Sequence, residues 1–419
     1  MADITAILTA SQSHDLAARQ TAETQLRVAE ESNLAGFLTG LASELGNDQK
    51  PPETRQLAGL ILKNAVTSKD EARKAELQQR WLSIDGGTRN VIKQHVWGAL
   101  GSELKEIRHT GAQAVSKIAG AEIPHKQWPD LVSGLQANVA DTNARPGLRQ
   151  ATLEALGFIC EEVTPEHLTD TEVNAMLTAI FSGMRKEEPD VEVRLAACVA
   201  LSNAMFFASE NFERQNERDH IMQVTCECTV CPDVRVRQAA YEVLVGVAEN
   251  YYDKLAPYIT AIFNLTTKAT KEDDESVALQ AIEFWSAVCE EEVAIQDEIE
   301  DGVDEPPVYH RFVEQALGQV RVGAFPNHSL HVCRLSRVIT YTHHERLTLS
   351  FLSLSSCRCC LKPSPSRTRT KSRTGTTRGT WRWLVVRVLV WSRRASGTKS
   401  WTRRCHSSRR TSGTKSCGV

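Results

Sequence analysis

One short pattern recurs along this chain: an arginine, a small residue (or Thr) three positions on, and an apolar residue seven on. It occurs as Arg55/Ala58/Leu62, Arg108/Gly111/Val115, Arg149/Thr152/Leu156, Arg194/Ala197/Leu201 and Arg237/Ala240/Leu244. A sixth copy, Ala278/Ala281/Trp285, lacks the arginine. Successive copies start 53, 41, 45, 43 and 41 residues apart. Positions i, i+3 and i+7 share one face of a helix. A period of about 40–47 residues with two helices per unit is the mark of HEAT or armadillo arrays. The chain is therefore expected to be all-α, an α-solenoid in which each unit packs only on its neighbours. A long surface results, suited to holding partners.

The expected helix pairs are 2–10 with 14–30, 33–45 with 52–66, 86–101 with 104–120, and 127–140 with 146–162. Then follow 167–184 with 189–208, 210–228 with 232–249, and 253–269 with 274–293, about seven repeats over 1–319. An eighth unit begins near Pro306. Pro146, Pro189 and Pro232 each open a second helix, in the first turn, where a missing N–H costs nothing. The small residue of each copy marks where neighbouring helices approach closely. The arginine can bury its stem and reach a carboxylate or carbonyl next door. Strand signals are nearly absent.

Charge splits the chain. Residues 320–419 hold 21 Lys and Arg against one acid, Glu345, a charge of +20, while the rest carries −23. This basic, Ser/Thr-rich stretch has two readings. One is a disordered basic tail, too polar to bury a core. The other is a shifted reading frame: Gln319-Val320 can be encoded with a splice donor and Cys357-Arg358 with an acceptor. In the alternative frame the stretch from Thr380 becomes a small-residue, apolar helix of the kind an eighth repeat needs. The acidic body favours encounter with basic proteins and repels nucleic acid. Its strongest acidic features are Glu272–Glu275 and the run from Glu290 to Asp301, whose bland reading is a solvated loop or helix start.

No chemistry-bearing motif stands out. Glycine-rich phosphate loops, a G-x-S-x-G elbow and HExxH spacing are all missing, so an enzyme is not expected. Cys226-x-Cys228-x2-Cys231 lacks the second pair of a zinc site and reads as core or seam thiols. No metal and no cofactor are expected. No apolar run reaches the ~18–20 residues of a membrane span, and no signal peptide opens the chain. The six scattered Cys of the body fit reduced thiols in a cytosolic or nuclear setting.

Several stretches resemble the importin-β (karyopherin-β) family. They include Ala22-Glu23-x-x-Leu26, Arg55–Asn64, Gln79-Arg80-Trp81-Leu82, Gly183–Pro189, Ile221–Val224 and Ala278–Trp285, in matching order over about 1–319. The resemblance implies a superhelix of HEAT repeats that carries protein cargo through nuclear pores. Cargo is basic and is held directly or through importin-α. It implies a Phe-Gly nucleoporin slot between the outer helices of the fifth and sixth units, at Leu177, Thr178, Phe181, Glu217 and Ile221. His220 stands where the family often has an aromatic residue. It also implies Ran-GTP binding in the region of Lys63, Asn64 and Lys69. The family's acidic loop of the eighth unit and its later array are not found here, so the resemblance implies a truncated form with weakened importin-α binding. Location in cytoplasm and nucleus, with the nuclear envelope, follows. The competing reading is a HEAT scaffold subunit without a pore role; nucleic-acid binding through the tail is a third.

Overall fold

The computed structural model describes residues 3–303, 305 and 307–316. The basic segment 320–419, with both readings attached to it, lies outside the described residues, as does Pro306. Every regular element among the described residues is helical. In order they are α1 (Ile4–Ser11), α2 (Leu16–Ser32), α3 (Leu34–Gly46), α4 (Pro52–Asn64), α5 (Glu71–Leu82), α6 (Gly86–Ala99), α7 (Lys105–Glu122) and α8 (Leu131–Ala140). Then come α9 (Pro146–Glu162), α10 (Asp170–Met184), α11 (Val191–Asn203), α12 (Ser209–Glu213), α13 (Gln215–Cys228), α14 (Val234–Asn250), α15 (Ile259–Glu272) and α16 (Glu275–Glu300).

The helices pair as hairpins: α1/α2, α3/α4, α6/α7, α8/α9, α10/α11, α13/α14 and α15/α16. Second helices pack in an unbroken row, α4 on α7, α7 on α9, α9 on α11, α11 on α14 and α14 on α16. First helices form the other layer, with α3 on α6, α8 on α10 and α10 on α13. The core is one continuous seam between the layers. The apolar members of the repeated pattern lie in it, Leu62, Val115, Leu156, Leu201 and Leu244 at zero exposure. Burying one such side chain contributes about 1.5–3 kcal/mol.

Close approach explains the small residues. A Cβ on Gly157 of α9 would sit 3.0 Å from the Ala200 Cα of α11. One on Gly183 of α10 would come within 2.9 Å of the Ala197 Cβ and 2.8 Å of Leu153. The arginines form a ladder along the loop edge. Arg55 donates to the Leu45 carbonyl at 3.0 Å and pairs with Asp48 at 2.8 Å. Arg108 donates to the Ser102 and Glu103 carbonyls. Arg149 forks onto Glu188, and Arg237 onto Asp273 at 2.7 and 2.9 Å. Three of these hold a carboxylate and one holds carbonyls, as the sequence pattern implies. Arg194 is different and is taken up below.

Two expectations need correcting. Pro146 is the first residue of α9, but Pro189 and Pro232 precede the N-cap. Asp190 and Asp233 cap α11 and α14 instead, each accepting from backbone N–H groups two or three residues on. A carboxylate at the N-cap satisfies two needs, an orphan donor and the positive helix end. An additional helix, α5, lies between the second and third pairs. Only Leu77 and Trp81 of it are buried, and the Trp81 indole donates to Glu122 at 3.1 Å.

Candidate functional site

The proposed Phe-Gly slot falls on α10 and α13. A capping box fixes the start of α10: Thr169 accepts from the Glu172 N–H, and Glu172 accepts from the Thr169 N–H at 2.8 Å. Leu177 of α10 and Ile221 of α13 are buried, 2% and 1% exposed. Thr178 is exposed and Phe181 half-buried. The Phe181 ring meets the His220 ring edge-on, centroids 6.0 Å apart at 79°. Glu217 accepts from Asn211 Nδ2 at 2.7 Å and from Arg214 at 3.2 Å. Asn211 also donates to Asn174 of α10 at 3.2 Å, tying the sixth unit to the fifth. Leu177, Thr178 and Phe181 thus lie on α10 and Glu217 and Ile221 on the adjacent α13, with the Phe181–His220 contact between the two helices. The helix expected over 210–228 is broken at Arg214 into α12 and α13, and Asn211 lies on the short first piece.

Lys63 and Asn64 end α4, and Lys69 stands in the connection to α5. Asn64 and Lys69 are exposed; Lys63 is half-buried. Burial, with repulsion from Lys117 of α7, lowers the Lys63 pKa. Lys117 pairs with Glu162 of α9, as does Lys74 of α5 at 3.1 Å. Burial acts to raise the Glu162 carboxyl, but bonds from these lysines outweigh it and lower the pKa. Lys63 thus lies near Lys117, whose charge Glu162 balances.

Three acids gather further along the row, on α14 and α16. Glu249 of α14 and Glu290 of α16 both have raised pKa values, through partial burial first and then mutual repulsion with Glu283. The acidic runs singled out in the sequence are not all solvated. Asp273 binds Arg237, and Glu292 is buried, accepting from the Tyr252 hydroxyl at 2.9 Å and the Phe312 N–H at 2.5 Å. Among the described residues no cluster of three or more His, Cys, Asp or Glu is arranged to hold a metal ion. Nor is any single described helix long and apolar enough to cross a membrane.

Stacked helix hairpins with a continuous seam, an arginine ladder and two free helix layers define a HEAT-repeat α-solenoid. Residues 22–102 match the importin-beta N-terminal domain model. The chain is 48% identical to importin subunit beta-1 of Arabidopsis thaliana over 318 residues, 75% of this chain and 36% of that protein. It superposes on Kap95p, the yeast importin-β, as solved in a Kap95:Nup1 complex (TM-score 0.72, 31% identity). The same holds for Kap95p in a structure describing its effect on the switch loops of RanGDP (TM-score 0.73, 31% identity). Both superpositions cover 81% of this chain and 41% of the other. The chain thus spans about a third of the length of the curated relatives it matches. By these likenesses it is recognised as importin-β-like, corresponding to the N-terminal portion of that protein.

Proposed function

We propose that this chain is a nuclear transport receptor of importin-β type, which moves between cytoplasm and nucleus and carries protein cargo through nuclear pores. It acts by binding, not by catalysis. Phe-Gly nucleoporins insert a Phe ring into the α10/α13 groove, over Leu177 and Ile221 and against Phe181, with Thr178 and Glu217 at the rim. Shallow apolar slots with a few polar rim groups suit a single aromatic side chain. Ran-GTP engages the early second-helix surface near Lys63, Asn64 and Lys69. Basic cargo, or the basic arm of importin-α, is met by the Glu249, Glu283 and Glu290 face. The observation that carries the reading is the 48% identity to importin subunit beta-1 over 318 residues.

The test is titration of a fluorescent Phe-Gly repeat peptide into the full chain, with Phe181→Asp and Thr178→Arg variants. Thr178 is exposed, so its replacement leaves folding intact. Saturable binding that both variants weaken by about tenfold or more, roughly 1.4 kcal/mol, supports the reading. Binding unchanged in both variants, or absent in the folded parent chain, refutes the slot. Absence of Ran-GTP binding as well would leave a HEAT scaffold.

A further inference from the structure

One rung of the arginine ladder has neither a carboxylate nor a carbonyl on its guanidinium. Arg194 of α11 is 8% exposed, and a guanidinium stays charged under all ordinary conditions. Among the described residues its polar neighbours are sulfurs: Nη1 lies 3.1 Å from Cys231 Sγ and Nη2 3.8 Å from Cys228 Sγ. Its Nε has no partner at all. A buried cation left without a counter-charge costs several kcal/mol. A thiolate is the one anion these neighbours can supply.

The two sulfurs also stand in a fitting frame. Cys228 ends α13, and the Cys231 N–H donates to the Cys228 carbonyl at 3.1 Å, closing a turn. Four-residue turns hold their ends within about 7 Å, Cα to Cα, and a disulfide needs about 4.4–6.8 Å. Cys228-Thr229-Val230-Cys231 is thus a C-x-x-C segment whose two thiols face one guanidinium. From α11 the Cys198 thiol hydrogen-bonds to Cys228.

We propose that Cys228 and Cys231, held on the Arg194 guanidinium, form a redox site that a small hydroperoxide converts from thiolate–thiol to disulfide. The Cys228 thiolate attacks one peroxide oxygen, the O–O bond breaks, and hydroxide leaves to take up a proton. Cys228 is then a sulfenic acid. Cys231 sulfur attacks the Cys228 sulfur, the S–OH bond breaks, and hydroxide departs with the Cys231 proton as water. Two electrons pass from the sulfurs to the peroxide; two thiols and hydrogen peroxide give one disulfide and two waters.

Several groups act on Cys228. Cys198 and Arg194 of α11 favour the thiolate, the former by its hydrogen bond and the latter by charge. Burial and Glu227 of α13 oppose it, and the balance brings Cys228 down to about 7. The Met184 carbonyl of α10, 3.3 Å from Cys228 Sγ, also favours the thiol. That neutral contact is weaker than a charge-assisted bond to a guanidinium. Arg237 of α14 reaches this turn too, donating to the Cys231 carbonyl at 2.8 Å. Neighbouring Cys226 is pushed up to about 11, chiefly by burial. Both site sulfurs are buried, but the turn is not: Val230 is 59% exposed. A water-sized oxidant needs only a small opening there.

The consequence is structural. A disulfide is neutral, so oxidation strips Arg194 of its counter-charge at the junction of the fifth and sixth units. The oxidised array should be less stable than the reduced one, opposite to the usual effect of a cross-link.

The experiment uses the full chain. Iodoacetamide labelling between pH 5.5 and 9.5, read by peptide mass spectrometry, gives the ionisation of each thiol. Cys228 is expected to label with a midpoint near 7, and about tenfold or more faster at pH 7 than Cys160, which burial holds at about 12. One equivalent of hydrogen peroxide should then lower the mass by about 2 Da, with the loss mapping to Cys228–Cys231, and lower Tm reversibly with dithiothreitol. Cys231→Ser should stop at the sulfenic acid, trapped by dimedone. A Cys228 midpoint above about 8.5, no Cys228 labelling, or a disulfide mapping elsewhere overturns the proposal. These readouts use no transport partner and stand apart from the receptor reading.

Discussion

Replacing Leu201 by Ala tests the stacked-hairpin architecture locally. Leu201 is the apolar member of the fourth repeat copy and has zero exposure. Its helix, α11, packs on α9 before it and α14 after it. Truncation removes three carbon atoms' worth of burial and leaves a cavity that close-packed neighbours fill only in part. The cost for such a site is about 3 kcal/mol. Every 1.4 kcal/mol is a factor of ten, so local opening becomes easier by about a hundredfold. In an array with nearest-neighbour coupling this loss stays local. Hydrogen exchange followed by mass spectrometry should show amide protection falling by about that factor in α11, less in α9 and α14, and hardly at all in α4. An equal fall in α4 and α16 would refute the reasoning, because it would mean that the hairpins open as one globule.

Other outcomes follow from the same contacts. Glu122 is fully buried and holds Arg89 and Lys93, each at 2.7 Å, so Glu122→Gln should cost about 3–5 kcal/mol in urea unfolding of the third unit. Gly157→Val should cost about 1–3 kcal/mol by thermal unfolding, since its Cβ would strike the α11 backbone at Ala200. His109 has a raised pKa, chiefly through its 2.8 Å bond to Glu154. That contribution is complete below the unfolded value of 6.5 and is lost as pH rises through the raised folded one. The stability gap between the parent and Glu154→Gln should therefore narrow as pH rises above 6.5; solvent exposure of His109 keeps the gap small.

Much of the fold is legible in the sequence because repetition carries it. Ala58, Ala197 and Ala240 announce close helix approach, and their arginines announce the loop-edge ladder. What escapes is local. The α5 segment buries only Leu77 and Trp81, one turn apart, too thin a stripe to stand out in a charged stretch. Pro189 and Pro232 look like first-turn residues until the aspartates after them are seen to cap. Leu177 and Ile221 read as apolar stripe residues, and only the packing of α10 on α13 makes their helices neighbours. The link through Asn211 and the sulfur partners of Arg194 depend on which loops meet. Spacing along one chain does not encode that directly.

The receptor reading is tested most directly in permeabilised cells. Fluorescently labelled chain should stain the nuclear rim, and excess Phe-Gly repeat peptide or the Thr178→Arg substitution should strip that signal. Diffuse cytoplasmic fluorescence, or rim staining unchanged by both, would contradict it.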